Sequence, residues 1–233
     1  MAKPVCAVLG VGPGNGAALA RRFARGGYDI ALLSRSQDKL DHFAGQIEGA
    51  RTFACDARDP DSVQSAFDAL QQRMGPVSVL CFNAGGGGWT APEDVSAQDM
   101  EDAFRVNAVG LVTAVQAVLP GMMRSGGGAV MITGATASLR GGPKTTAFAA
   151  AKAAQRSVAQ SMARSLGPKG IHVALFIIDG VVDLPGSRKM LPDKPDTFFI
   201  KADDIADTVF HVARQPKSAW SFEVDLRPFV EKW

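Results

Sequence analysis

Residues 5–16 read Val5-Cys6-Ala7-Val8-Leu9-Gly10-Val11-Gly12-Pro13-Gly14-Asn15-Gly16, and residues 17–25 continue with helical spacing. A short apolar run of strand length therefore enters a glycine-rich turn and leaves it as a helix. Glycines permit the tight turn and let the backbone approach a phosphate closely, while the helix N-terminus supplies free N–H groups and the positive end of a dipole. A glycine-rich loop alone is a weak signal. Set between a strand and a helix, it has the context that binding of a dinucleotide pyrophosphate requires. Gly10, Gly14, Asn15 and Gly16 form the candidate cradle, with a turn that serves only the fold as the alternative.

The same alternation runs outward from this loop. Residues 29–34, 51–55, 77–82, 129–133, 171–177 and 221–226 are further strand-length runs, most of them continuously apolar. Strands covered on both faces have that character. Residues 37–48, 61–73, 100–123, 146–166 and 203–214 have helical length and spacing between them. This rhythm predicts an α/β fold, a single doubly wound parallel sheet of about seven strands with helices on both faces. No shift in composition divides the 233 residues into two domains, and the Pro-rich stretch 184–197 reads as a mobile insertion near the end of the chain.

Composition narrows the partners. The 25 Lys+Arg against 23 Asp+Glu leave a net charge of +2, so no basic field points to nucleic acid or an anionic membrane. The apolar tract 104–123 carries Asn107, Thr113, Gln116 and Pro120 and reads as a buried helix rather than a membrane span. Cys6, Cys55 and Cys81 are odd in number, far apart and each within an apolar run. They read as buried free thiols of a cytoplasmic protein. No His, Cys and carboxylate spacing suggests a metal site.

The second strand ends Leu33-Ser34-Arg35-Ser36, with no acid before Asp38. An acid at that point hydrogen-bonds a ribose 2′-OH and repels a 2′-phosphate, whereas an arginine favours the phosphate. Arg35 thus favours NADP(H) over NAD(H), with a solvated loop charge as its plain alternative.

These features resemble the short-chain dehydrogenase/reductase family over nearly the whole chain. Gly10, Gly14 and Gly16 match the family's spaced glycines, and Asp56 matches the acid placed by the adenine ring. Asn83-Ala84-Gly85 matches its Asn-Ala-Gly, Asn107 its active-site Asn, and Lys152 its active-site Lys. The resemblance implies an oxidoreductase with a small-molecule substrate, assembled as a homodimer or homotetramer through the helices at 100–123 and 146–166. It also implies that Lys152 lowers the pKa of a catalytic Tyr and hydrogen-bonds the nicotinamide ribose.

The catalytic pair departs from that pattern. The family's Tyr lies four residues before the Lys, where this chain has Phe148. Its Ser lies about thirteen residues earlier, where this chain has Ala135. The only Tyr in the chain is Tyr28, and the wider spacing of enoyl reductases lands on Thr145. Phenylalanine has no proton to give, and general acid–base catalysis is worth ~10²–10⁴ in rate. After the sixth strand the family's Pro-Gly and a following Thr become Asp179-Gly180 and Leu184. Gly180 is carried over as a cofactor contact. A partly desolvated Asp179 carboxyl is a candidate substitute acid, or else a turn cap.

Thr136 and Ser138 are candidates to hold a substrate oxygen, and Thr145, Thr146 and Lys144 are further polar residues beside the cleft. Trp89 is a candidate pocket wall. His42, His172 and His211 fall away from the catalytic positions. Two functions follow: an atypical oxidoreductase working without the Tyr acid, suited to a conjugated alkene or quinone, or a catalytically silent dinucleotide-binding sensor or partner protein.

Overall fold

The computed structural model describes residues 2–232. Its order begins β1 (Val5–Leu9), α1 (Asn15–Arg25), β2 (Asp29–Ser34), α2 (Gln37–Ala44), β3 (Arg51–Ala54), α3 (Pro60–Met74) and β4 (Val77–Phe82). Next come α4 (Ala97–Phe104), a π-turn (Arg105–Val109), α5 (Gly110–Arg124), β5 (Gly128–Thr133), α6 (Thr146–Leu166) and β6 (Ile171–Ile178). The chain ends with β7 (Val181–Val182), α7 (Pro185–Met190), β8 (Phe199–Ile200), α8 (Ala202–Ala213) and β9 (Glu223–Leu226).

Seven strands pair in parallel in the order β3-β2-β1-β4-β5-β6-β9, as the apolar runs predict. Alternate side chains of each strand enter opposite layers. Val5, Ala7 and Leu9 pack with Phe67, Leu111 and Ala159 of α3, α5 and α6, while Cys6 and Val8 pack with Phe23, Leu40 and Phe210 of α1, α2 and α8. The continuous apolar runs are thus central strands buried on both sides. The edge strand β9, Glu-Val-Asp-Leu, is half exposed throughout.

Local chemistry sets the helix starts. Ser36 caps α2, Asp59 followed by Pro60 opens α3, and Ser96 with Asp99 forms a reciprocal capping box on α4. The helix 97–124 is long and apolar enough to cross a membrane, but 56% of its most apolar window is buried inside the fold. Its interior π-turn and the small two-stranded sheet of β7 and β8 carry no signal in the apolar pattern. The stretch 184–197 holds α7, and Arg188 ties it down through ion pairs to Asp183 at 2.7 Å and Asp196 at 2.6 Å. All three cysteines are buried free thiols. Burial pushes Cys6 up from the usual thiol range and Cys55 up to about 12.

Strand order reverses direction between β1 and β4. Loops leaving the carboxyl ends of adjacent strands part there, and ligands of doubly wound sheets bind in that crevice.

Candidate active site

A groove of about 400 Å³ lies at this switch point, lined by Gly10, Val11, Ser34, Arg35, Asp56, Arg58, Asn83 and Gly85–Gly88. The turn above it is built by close backbone approach. Gly10 has φ +99°, and a Cβ there would sit 2.4 Å from the backbone nitrogen of Ala84. A Cβ on Gly16 would meet the Gly10 carbonyl at 2.6 Å, and the Asn83 amide donates to that same carbonyl at 2.8 Å. Asn83 and Ala84 therefore hold the first turn in shape. Gly12 has nothing within 4 Å of a Cβ, so its face is open. No side chain caps α1 at Gly14, and Asn15 Oδ1 is buried without a partner among the described residues. An open glycine face, an uncapped helix start and an unpartnered acceptor fit a pyrophosphate-bearing group.

Arg35 is exposed at one end of the groove, beside Ser34. Arg58, a residue the sequence reading passed over, lines the same end. Its guanidinium forks onto Asp56, with Nη2 at 2.7 Å, and holds that carboxyl below the usual carboxylate range. A basic residue two positions after the acid was the available signal.

Behind the glycine strip of the groove lie three further candidates: Gly85 adjoins Asn107 and Lys152, and Gly87 adjoins Phe148. Lys152 is 5% exposed, and its Nζ donates to the Thr133 carbonyl at 2.9 Å and to Gln155 Oε1 at 3.0 Å. Burial alone brings its pKa down from 10.5 to about 7. The Asn107 amide donates to the carbonyls of Gly86 and Ala103 at 2.6 and 2.8 Å, leaving Oδ1 buried and without a partner among the described residues. A Cβ on Gly85 would fall 3.1 Å from Asn107 Oδ1 and 3.4 Å from Lys152 Nζ, so this groove-lining glycine lies directly beside the buried amine. Gln155, also missed in the sequence, donates to the main-chain carbonyl of Asn107 at 3.1 Å. Its spacing of three from Lys152 on one helix was the signal.

Phe148 sits one turn before Lys152 with its ring centroid 5.9 Å from Nζ. The exposed Trp89 ring lies over it at 6.5 Å and 30°. Tyr28 is far away, packed edge-on against Phe23. Ala135 N–H donates to the buried Ser138 Oγ at 3.2 Å, and Thr136 Oγ1 donates to Asp179 at 2.5 Å. Asp179 also faces Arg140 and Arg227, each at 4.0 Å.

Some candidates stay outside the groove. Gly180 packs against Pro228, where a Cβ would meet Cδ at 2.7 Å, and Thr145 Oγ1 closes a turn with Gly142. Lys144 is exposed. Leu184 instead seals the cradle, its Cδ2 lying 3.0 Å from a Cβ on Gly14. His42 and His211 are exposed on helices, and His172 is stacked on Trp220 at 4.7 Å. Among the described residues no cluster of His, Cys, Asp and Glu can hold a metal ion.

Residues 4–193 match the family model for short chain dehydrogenase. The 7alpha-hydroxysteroid dehydrogenase of Escherichia coli strain K12 is 28% identical over 228 residues, spanning 92% of this chain and 89% of its own. Among solved structures, an alcohol dehydrogenase from the archaeon Thermococcus sibiricus complexed with 5-hydroxy-NADP superposes with a TM-score of 0.88 at 27% identity, covering 99% of this chain and 98% of that one. A short-chain dehydrogenase from Rhodopseudomonas palustris does so with 0.82 at 33% identity, covering 97% and 99%. With its sheet order, its glycine cradle and the greater part of its length in agreement, this chain belongs to the short-chain dehydrogenase family.

Proposed function

We propose that the protein is an NADP(H)-dependent oxidoreductase that works without the family's Ser and Tyr, on an acceptor that needs no strong general acid. The observation that carries this reading is one groove lined by Arg35 and by the Arg58–Asp56 pair, whose Gly85 borders the buried Lys152, a Cβ there falling 3.4 Å from Nζ. Ser34, Arg35 and Arg58 suit a 2′-phosphate, and Asp56 suits the adenine edge. The open face of Gly12 and the start of α1 suit the pyrophosphate, and Lys152 with Asn107 suits the nicotinamide ribose.

When bound, the cofactor supplies or accepts a hydride. The chain's own part is to orient that exchange. Gly85 leaves room before the amine, Phe148 and Trp89 wall the space with apolar surface, and Leu184 closes over Gly14 to exclude water. Such walls favour a planar conjugated acceptor: a quinone, whose reduced anion is phenolate-like and a far weaker base than an alkoxide, or an enone, whose negative charge is delocalised over carbon and oxygen. Asp179 is placed as the anchor of the turn bearing Thr136. The whole chain acts as one cofactor domain, with 184–197 as its substrate loop. Copies of it pair through the long helices, where Phe104 and Val109 stand exposed.

A second reading, a silent dinucleotide-binding sensor, is favoured by one observation. Both hydroxyls next to Ala135 are already engaged, Thr136 by Asp179 and Ser138 by a backbone N–H. NADPH consumption with a quinone, an enone and a simple ketone separates the two. Turnover of the conjugated acceptors with a sluggish ketone supports the enzyme. Tight NADPH binding with no consumption on any acceptor supports the sensor.

A further inference from the structure

We propose that Lys152 is itself the proton donor and acceptor of this site, with Gln155 as the positioning residue that aims it; this rests on the oxidoreductase reading above. In a site walled by Phe148, no hydroxyl stands between the amine and a substrate oxygen. The ammonium has three donors. Thr133 and Gln155 accept two of them, at 2.9 and 3.0 Å, which leaves one for the side of Gly85, where a Cβ would fall 3.4 Å from Nζ.

Gln155 is wholly buried and fixed at both ends. Its Oε1 accepts a hydrogen bond from Lys152, and its Nε2 donates to the Asn107 carbonyl at 3.1 Å. That carbonyl lies inside the π-turn, where the regular helical ladder is interrupted and a side chain can claim the acceptor. Asn107 in turn holds Gly86 at 2.6 Å, on the strip that lines the groove. Lys152 is thereby coupled to the substrate wall through a single polar chain.

No acid neutralises the amine. Of the charged residues on the elements around α6, Asp99 is bound to Ser96, Asp102 to Gln98, and Asp179 to Thr136. Arg156 is paired with Glu223, and Arg105 and Arg140 make no contact with Nζ among the described residues. Burial therefore governs the protonation of Lys152, bringing its pKa to about 7, where both forms are populated at neutral pH.

In the reductive direction, with reduced nicotinamide as the hydride source, the substrate oxygen gains an electron pair. An Nζ–H bond breaks as the O–H bond forms, and the nitrogen keeps its lone pair as a neutral amine. A solvent proton then restores the ammonium, so one hydride and one proton are consumed per turnover.

The test follows the ¹³Cε resonance of Lys152 by NMR against pH in the NADPH-binding protein, alongside kcat for quinone reduction and Kd for NADPH. The kcat is expected to fall above the same inflection that the NMR titration shows. Gln155→Glu sets a carboxylate at the amine and is expected to move both inflections upward by about one unit or more. Gln155→Leu is expected to lower kcat about tenfold and Lys152→Met ~10²-fold, with the Kd of Gln155→Leu within threefold of the parent. A kcat that is flat across the NMR inflection, or that survives Lys152→Met, overturns the proton role while NADPH binding leaves the oxidoreductase reading standing. A parent that binds no NADPH overturns both.

Discussion

Lys152 Nζ donates to Gln155 Oε1 at 3.0 Å, and among the described residues no carboxylate pairs with it. A buried base with a folded-state pKa of about 7, against 10.5 in its ordinary state, binds fewer protons folded than unfolded between those limits. Stability therefore rises with pH across that window, and the cost of burying the charge is fully present below pH 7. Relative to Lys152→Met, the parent is expected to gain about 2 kcal/mol of unfolding free energy between pH 7 and pH 9. Urea denaturation of both proteins at the two pH values checks this, and a pH-independent difference contradicts it.

Gly10 and Gly12 belong to one loop but answer to different constraints. Gly10→Ala forces a Cβ onto the Ala84 backbone at positive φ and is expected to cost about 3 kcal/mol of stability. Gly12→Ala meets open space. It is expected to leave the melting temperature within about 2 °C while weakening NADPH binding about tenfold or more. Thermal melts and cofactor titration distinguish the two. Equal melts for both variants sink the assignment.

The frame was legible because the central strands are buried on both faces. Residues 5–9, continuously apolar, and 77–82, apolar but for the half-buried Ser78, both emerge as strands with those limits. The cradle was legible because only glycine tolerates the contacts at Gly10 and Gly16. The π-turn was not, since a one-residue change of helical pitch leaves the apolar periodicity almost untouched. Gln155 and Arg58 were missed for a related reason: each acts through a partner, Lys152 or Asp56, that only the folded chain aligns with it.

Restoring the family pair tests what Phe148 removes. Ala135→Ser with Phe148→Tyr is expected to raise ketone reduction by about 10²-fold or more, read as NADPH consumption with a simple ketone. The Tyr hydroxyl enters the space before Lys152, whose Nζ lies 5.9 Å from the present ring centroid. No gain in a double variant that still binds NADPH shows that more than these two side chains limits the chemistry.

Arg58 covers the Asp56 carboxylate in the groove that also holds Ser34 and Arg35. Arg58→Ala uncovers a negative charge near the place of a 2′-phosphate. NADPH affinity is expected to fall about fivefold at low salt, less at high salt, with NADH little affected. Titrations with both cofactors at two ionic strengths give the answer; an equal loss for NADH contradicts this role.

The most direct measurement is a fluorescence titration of the parent and Arg35→Ala with NADPH and NADH. The parent is expected to bind NADPH about 30-fold more tightly than NADH, as one charge-assisted phosphate contact of about 2 kcal/mol requires. Arg35→Ala is expected to erase most of that preference without abolishing NADH binding. A parent that binds neither cofactor, or that holds NADH as tightly as NADPH with Arg35→Ala unchanged, contradicts the NADP(H) site on which the proposed function rests.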